Sequence, residues 1–202
     1  ALVAAVARAG LQMLPWDDEA AALRARIAFV RGQGDTRFPD LSDSALLASL
    51  DQWLRPLLSG KRRLDALMPA ALTSALANML DWPARQALDV QAPARFATPA
   101  GTSHAIDYAD VAGPSVDVRV QELFGLSVHP TVAGVPLLLR LLSPAHRPIQ
   151  TTRDLPGFWR GSWAAVKAEM KGRYPRHPWP DDPAAAPATT RTKRADQLRG
   201  KP

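Results

Sequence analysis

Between Pro148 and Pro183 the sequence PIQTTRDLPGFWRGSWAAVKAEMKGRYPRHPWPDDP threads cations between large flat rings. Arg153, Arg160, Lys167, Lys171, Arg173 and Arg176 alternate with Trp159, Trp163, Tyr174 and Trp179. Basic groups neutralise phosphates, the guanidinium in a two-pronged geometry, and flat rings stack on bases. In that reading the four arginines clamp phosphates, Lys167 and Lys171 add charge, and Tyr174 and Trp179 stack. The same composition also describes a terminal helix packed on a core, its cations solvating the outer face. Trp159 and Trp163 read as core residues, because Gly157 and Gly161 flank the first closely and the second lies on an apolar face. Trp179, held stiffly between Pro178 and Pro180, either inserts into a groove of its own protein or faces a partner, the first reading being preferred.

No catalytic constellation accompanies these residues. There is no GxxxxGK[ST] phosphate loop, no GxGxxG, no DExH and no Gly-x-Ser-x-Gly elbow. The histidines His104, His129, His146 and His177 are 17 or more residues apart, and none pairs at metal-ligand spacing. His104 and Asp107 sit on a predicted strand, pointing to opposite faces, so they make no triad fragment. Asp43, Asp51 and Asp65 read as solvent-facing acids on amphipathic helices.

The net charge of +6 is unevenly placed. Residues 1–94 carry ten basic and ten acidic side chains and residues 95–152 four of each, whereas residues 153–202 carry eleven basic against five acidic. The whole excess lies in the last quarter, which suits an anionic partner there, or a plain basic tail. With no cysteine there is no disulfide framework and no thiolate zinc site, which fits a reducing cytosol. No apolar run reaches 18 residues, so neither a membrane span nor a signal peptide is expected. A chain that opens without Met, in what reads as mid-domain sequence, is expected to be a fragment.

The elements that must position the basic stretch follow from periodicity. Residues 2–14 read as a short helix stopped by Pro15. Asp17 caps a second, with Ala20, Leu23, Ile27 and Val30 inward, ending at Gly32 and Gly34. Ser42 caps a third, whose stripe of Leu46, Leu47, Leu50, Trp53, Leu54 and Leu57 ends near Gly60. Pro69 opens a fourth, with Leu72, Leu76, Met79 and Leu80 inward, and Pro83 to Val90 closes the bundle. After Ala92-Pro93 the texture changes. Arg95–Thr98 and Thr102–Tyr108 flank Pro99-Ala100-Gly101 as a hairpin. Pro114 to Phe124 carries both a strand alternation and a helical spacing, and is taken as a helix. Val135–Leu142 is a central strand, with Ile149–Thr152 returning as its partner. Asp154–Trp159 starts a helical turn, and Ser162 caps a last helix to Lys171 with Gly172 as C-cap.

The predicted fold is α+β: a small helical bundle over 1–93, then an α+β domain over 94–183 in the order strand, strand, helix, strand, strand, helix. A flexible, Pro-rich basic tail is expected over 184–202.

The block DLPGFWRGSW (154–163), the run from Val166 to Lys171, and GRYPRHPWPDDP (172–183) resemble the C-terminal signature of the HrpB-type bacterial ATP-dependent helicases, DExH-box RNA helicase-like proteins. The resemblance extends through VRVQELFGL (118–126), HPTVAG (129–134), VPLLLRLLSPAHRPIQ (135–150), SDSALLASLDQWL (42–54) and LPWDDEAAALRARIAFVR (14–31). It departs from that pattern where Gly134 runs directly into Val135, leaving the loop there either two residues shorter or incomplete. The resemblance implies a non-catalytic accessory region of an ATP-dependent RNA helicase, packed on the upstream motor of the same polypeptide. ATP and Mg would belong to that motor, and the cofactors of this stretch itself are none. Single-stranded RNA or DNA is the implied partner, with the chain a cytoplasmic monomer away from any membrane. A protein-docking module, in which the Trp/Pro block binds the core and the charge only solvates it, is the alternative.

Overall fold

The computed structural model describes residues 1–192, 194 and 195, and the distal part of the expected basic tail (193 and 196–202) lies outside them. The chain divides into two compact units, one from Ala1 to Ala94 and one from Arg95 onward.

The first unit is helical: α1 (Leu2–Ala9), α2 (Asp18–Gly32), α3 (Asp43–Ala48), α4 (Leu50–Trp53), α5 (Pro69–Ala77) and α6 (Trp82–Gln91). Local cap chemistry sets the starts. Asp17, Ser42 and Asp81 each accept the backbone N–H three residues on, and Pro69 opens α5, where a missing N–H costs nothing. The Asp17 carboxylate also accepts the Thr73 hydroxyl at 2.9 Å, joining α2 to α5. Val6, Ile27, Val30, Leu46, Leu54, Leu72 and Leu76 form the core.

Two expected helices are shorter than their stripes. The first stops at Gly10, at φ 95, and resumes as a 3-10 turn from Leu11 to Met13. The third breaks at Ser49, whose hydroxyl bonds back to the Ala45 carbonyl at 2.8 Å, while the Trp53 indole takes the Leu46 carbonyl at 2.9 Å. Pro56, without an N–H, then begins a 3-10 turn to Leu58.

The second unit is α+β, as expected. Strands β1 (Arg95–Ala97) and β2 (Ser103–Ala105) form the predicted hairpin. A three-stranded sheet has the order β3 (Ser115–Arg119), β6 (Leu138–Leu142), β7 (Pro148–Thr152), with β6 central, parallel to β3 and antiparallel to β7. Helices α7 (Leu155–Arg160) and α8 (Trp163–Arg173) follow.

One element corrects the sequence reading. Pro114–Phe124 is not a helix but β3 followed by a 3-10 turn from Val120 to Leu123. Val116, Val118 and Val120 all point into the core, and pairing from Ser115–Leu138 to Arg119–Leu142 satisfies the backbone across the parallel ladder. A partner some 20 residues away in sequence decided the alternation, and local spacing does not reveal it.

The loop in question at Gly134 is a closed two-residue turn. Strands β4 (Thr131–Val132) and β5 (Val135–Pro136) pair directly through Val132 and Val135. Ala133 at φ 47 and Gly134 at φ 77 supply the left-handed pair that a tight hairpin requires.

The stretch beyond Pro183 also departs from expectation as far as Thr190. Gly125 N–H donates to the Pro183 carbonyl at 2.9 Å, and Thr189 N–H to the Gln121 carbonyl at 3.1 Å. This strap is pinned along the 3-10 turn after β3. Its prolines stiffen the unfolded chain, which lowers the entropy lost on ordering it.

Candidate nucleic-acid interface

The rings of the basic stretch turn inward. Trp163 opens α8 at 2% exposure and sits among Trp159 at 5.4 Å, Phe124 at 5.6 Å, Trp179 at 6.1 Å and Phe158 at 6.2 Å. Edge-to-face geometry dominates, with an interplanar angle of 86° between Trp159 and Trp163. Each indole N–H reaches a backbone carbonyl: Trp159 to Leu126 at 2.9 Å, Trp163 to Pro180 at 3.0 Å and Trp179 to Tyr174 at 2.9 Å. Trp159 and Trp163 are therefore core residues, as read from sequence. Trp179 is buried as well and takes the self-insertion reading; it offers no face for stacking. Tyr174 is half-buried, with its hydroxyl 3.3 Å from Ser143 Oγ and its ring edge-on to His177.

With Trp163, Val166 and Met170 turned inward, the cations of α8 fall on its flanks. Lys167 and Lys171, one turn apart, share a flank, and Lys167 Nζ binds Asp181 Oδ1 at 2.5 Å. That ammonium holds the Asp181 carboxyl below the usual carboxylate range, with Lys171 adding to the effect. Arg173 lies on the opposite flank, 3.2 Å from Glu169 one turn earlier. Arg160 ends α7 and borders a small depression of about 290 Å³ with Trp159, Asp181 and Asp182. Arg160, Lys171 and Arg176 are exposed and have no ion-pair partner among the described residues. Arg153 stands elsewhere, exposed and donating to the Ala112 carbonyl beside Gly113. Ser162 occupies the N-cap position of α8 without capping through its hydroxyl, and the helix continues through Gly172 to Arg173.

A polar cluster escaped the sequence reading. Glu122, wholly buried, accepts from Thr102 Oγ1, from His104 Nε2 at 2.5 Å and from Arg119 Nε at 2.5 Å. Burial pushes its carboxyl upward, but these three bonds outweigh it and hold the group below its ordinary value. The available signal was a carboxylate inside the otherwise apolar run from Val120 to Leu126. The cluster ties the β1–β2 hairpin to the end of β3, with every carboxylate contact taken inside the protein.

His129 is similarly structural. Its Nε2–H donates to the Leu137 carbonyl at 2.8 Å, and its Nδ1 accepts the Leu155 N–H at 3.1 Å, which fixes one neutral tautomer. Burial holds its basicity below that of an ordinary histidine.

With this geometry in place, comparison with known proteins gives a consistent match. Residues 53–183 match the family described as ATP-dependent helicase C-terminal. The chain belongs to this family. ATP-dependent RNA helicase HrpB of Escherichia coli strain K12 is 45% identical over 188 residues, covering 92% of this chain and 23% of that protein. The crystal structure of the E. coli DExH-box NTPase HrpB matches with a TM-score of 0.87 at 43% identity, over 94% of this chain and 24% of that one. A second crystal structure, of the E. coli DEAH/RHA helicase HrpB, matches at 0.74 and 40% identity over 88% of this chain and 23% of that one. This helicase C-terminal chain thus spans about a quarter of its relatives' length. Among its described residues, no helix is long and apolar enough to cross a membrane.

Proposed function

We propose that this chain is a catalytically silent accessory region of an ATP-dependent RNA helicase. It packs on the motor of the same polypeptide and holds single-stranded RNA or DNA through the basic surface of α8 and the segment after it. ATP and Mg²⁺ belong, in this reading, to motor domains; these 202 residues contain no glycine-rich loop with a lysine to cradle phosphates.

The observation that carries the reading is the division of labour in the Trp/Pro block. Trp159, Trp163 and Trp179 are spent inside the unit, so they leave no aromatic surface for apolar docking. Arg160, Lys171 and Arg176 stay exposed and available to phosphates, and Arg173, exposed as well, would exchange its weak surface pair with Glu169 for one. With Trp179 buried, binding rests on charge rather than stacking. Together with Arg153 these residues give four to five backbone contacts, and a log–log salt slope of roughly −2.8 to −3.5 on a single strand.

The test is fluorescence anisotropy of labelled single-stranded RNA and DNA, titrated across salt. The Arg173→Ala/Arg176→Ala variant serves as comparison, with Trp179 left intact because it is core. Steep salt dependence that flattens in the variant supports the reading. Absent binding by both folded proteins overturns it in favour of a docking module.

A further inference from the structure

In the N-terminal unit nearly every cation has an internal role. Arg24, Arg26, Arg37, Arg55 and Arg63 bind the carboxylates of Asp43, Asp89, Asp35, Asp51 and Asp65. Arg31 donates to the Phe38 carbonyl, and Arg85 to the Leu80 carbonyl and the Asn78 side chain. Arg8 occupies the last turn of α1, where the helix dipole favours a cation. Two remain. The side chains of Lys61 and Arg62 are adjacent in sequence, exposed, and without a partner among the described residues.

Their loop is held in place. The Lys61 N–H donates to the Leu58 carbonyl at 3.0 Å, and Gly60, at φ 72, reverses the chain just before it. Buried Leu58 and Leu67 anchor the segment on either side. Lys61 and Arg62, with Arg55 and Ser59, line an open depression of about 910 Å³ against the first turn of α1. The one carboxylate in its lining, Asp51, is already bound by Arg55 at 2.6 Å. Two positive charges are therefore left over, and nothing in the wall opposes an anion. The lining contains no aromatic ring, so the depression suits a phosphate and not a base.

We propose that Lys61 and Arg62 form a second phosphate-contacting point, which takes the sugar–phosphate backbone of a single strand without reading its sequence. The proposal rests on the reading that this chain binds single-stranded nucleic acid. These two neighbouring cations stand without a partner among the described residues on a fixed loop, beside a depression whose one carboxylate is already bound, and that placement gives the partner its sign and spacing.

The test uses the 202-residue chain and its Lys61→Gln/Arg62→Gln variant, with labelled single-stranded RNA of two unrelated sequences across a salt series. Both substituted positions are exposed, so circular dichroism and melting should match the parent. Two lost contacts should make the salt slope shallower by about 1.4 and weaken binding about tenfold to thirtyfold near about 0.1 M salt, equally for both sequences. If the variant binds like the parent while Arg173→Ala/Arg176→Ala binds less, the depression is not a contact point and the wider reading stands. If the parent chain binds neither RNA at any salt, both fail. Loss confined to one sequence would overturn backbone recognition.

Discussion

The Trp163 indole N–H donates to the Pro180 carbonyl at 3.0 Å, and the Trp163 and Trp179 rings lie 6.1 Å apart. The pair sets the path of the chain after α8. The Pro-Trp-Pro segment folds back over the helix it follows, and Asp181 arrives beside Lys167. A residue at the start of the last helix thus determines which cations stay available beyond it. Trp163→Phe keeps much of the ring packing but leaves a carbonyl without its donor. It should destabilise the second unit by about 1–3 kcal/mol. Trp163→Ala should cost about 3–5 kcal/mol through the cavity it opens. Urea unfolding followed by far-UV circular dichroism tests both, and equal effects would show that the bond rather than the ring governs the site.

Acid should act on the second unit in two steps. Protonated His129 has no lone pair for the Leu155 N–H, so the unfolded chain takes that proton more readily. Its contribution is present above the unfolded-state value of about 6.5 and is lost as pH falls below it. Glu122, also held below its ordinary value, contributes above about pH 4.3 and loses that contribution as pH falls further. His129→Gln should flatten the upper limb of a stability–pH curve, and Glu122→Gln the lower one. Denaturant midpoints measured from about pH 7 to about pH 3 would check this; unchanged limbs would assign the acid sensitivity to other groups.

The turn at Ala133 carries backbone strain that sequence can relieve. A left-handed φ of 47 is unfavourable for alanine, and asparagine tolerates it better. Ala133→Asn should stabilise the second unit by about 0.5–1 kcal/mol, whereas Gly134→Val should destabilise it by about 1–2 kcal/mol. Thermal melts of the two variants should move in opposite directions.

Features decided by near neighbours could be read in the sequence. Asp17 and Ser42 lie three residues before the amides they satisfy, and Pro69 stands at a helix start, so these helices of the first unit begin where local chemistry places them. The apolar run Val135–Leu142 announced a central strand, and Leu138–Leu142 takes that place between β3 and β7, whereas Val135–Pro136 turns aside to pair with β4. What could not be read depended on distant partners. Ser115 to Arg119 became a strand because Leu138 to Leu142 lies alongside, and Glu122 became a buried anion because Thr102, His104 and Arg119 converge on it. Of the candidate site, the exposure of Lys171 was legible from helical spacing. The inward turn of Trp179 and the capture of Lys167 by Asp181 follow from the chain folding back, which no local spacing encodes.

That capture yields a prediction with an unusual sign. Asp181 is 98% exposed at its side chain, so its ion pair with Lys167 adds little to stability. It nevertheless neutralises a cation on the flank that Lys171 shares. Asp181→Asn should leave folding nearly unchanged, release Lys167, and remove a negative charge from the path of a phosphate. If the basic flank of α8 grips single strands, this loss of an acid should strengthen binding by about fivefold near about 0.1 M salt and steepen the salt slope by about 0.7. Lys167→Ala in the parent background should weaken binding less than Lys171→Ala, because only Lys171 is free of a direct ion pair. In the Asp181→Asn background the two substitutions should become equivalent. Anisotropy titrations of the parent and these five variants decide it: weaker binding after Asp181→Asn would mean that the Lys167–Asp181 pair positions the flank rather than masking it.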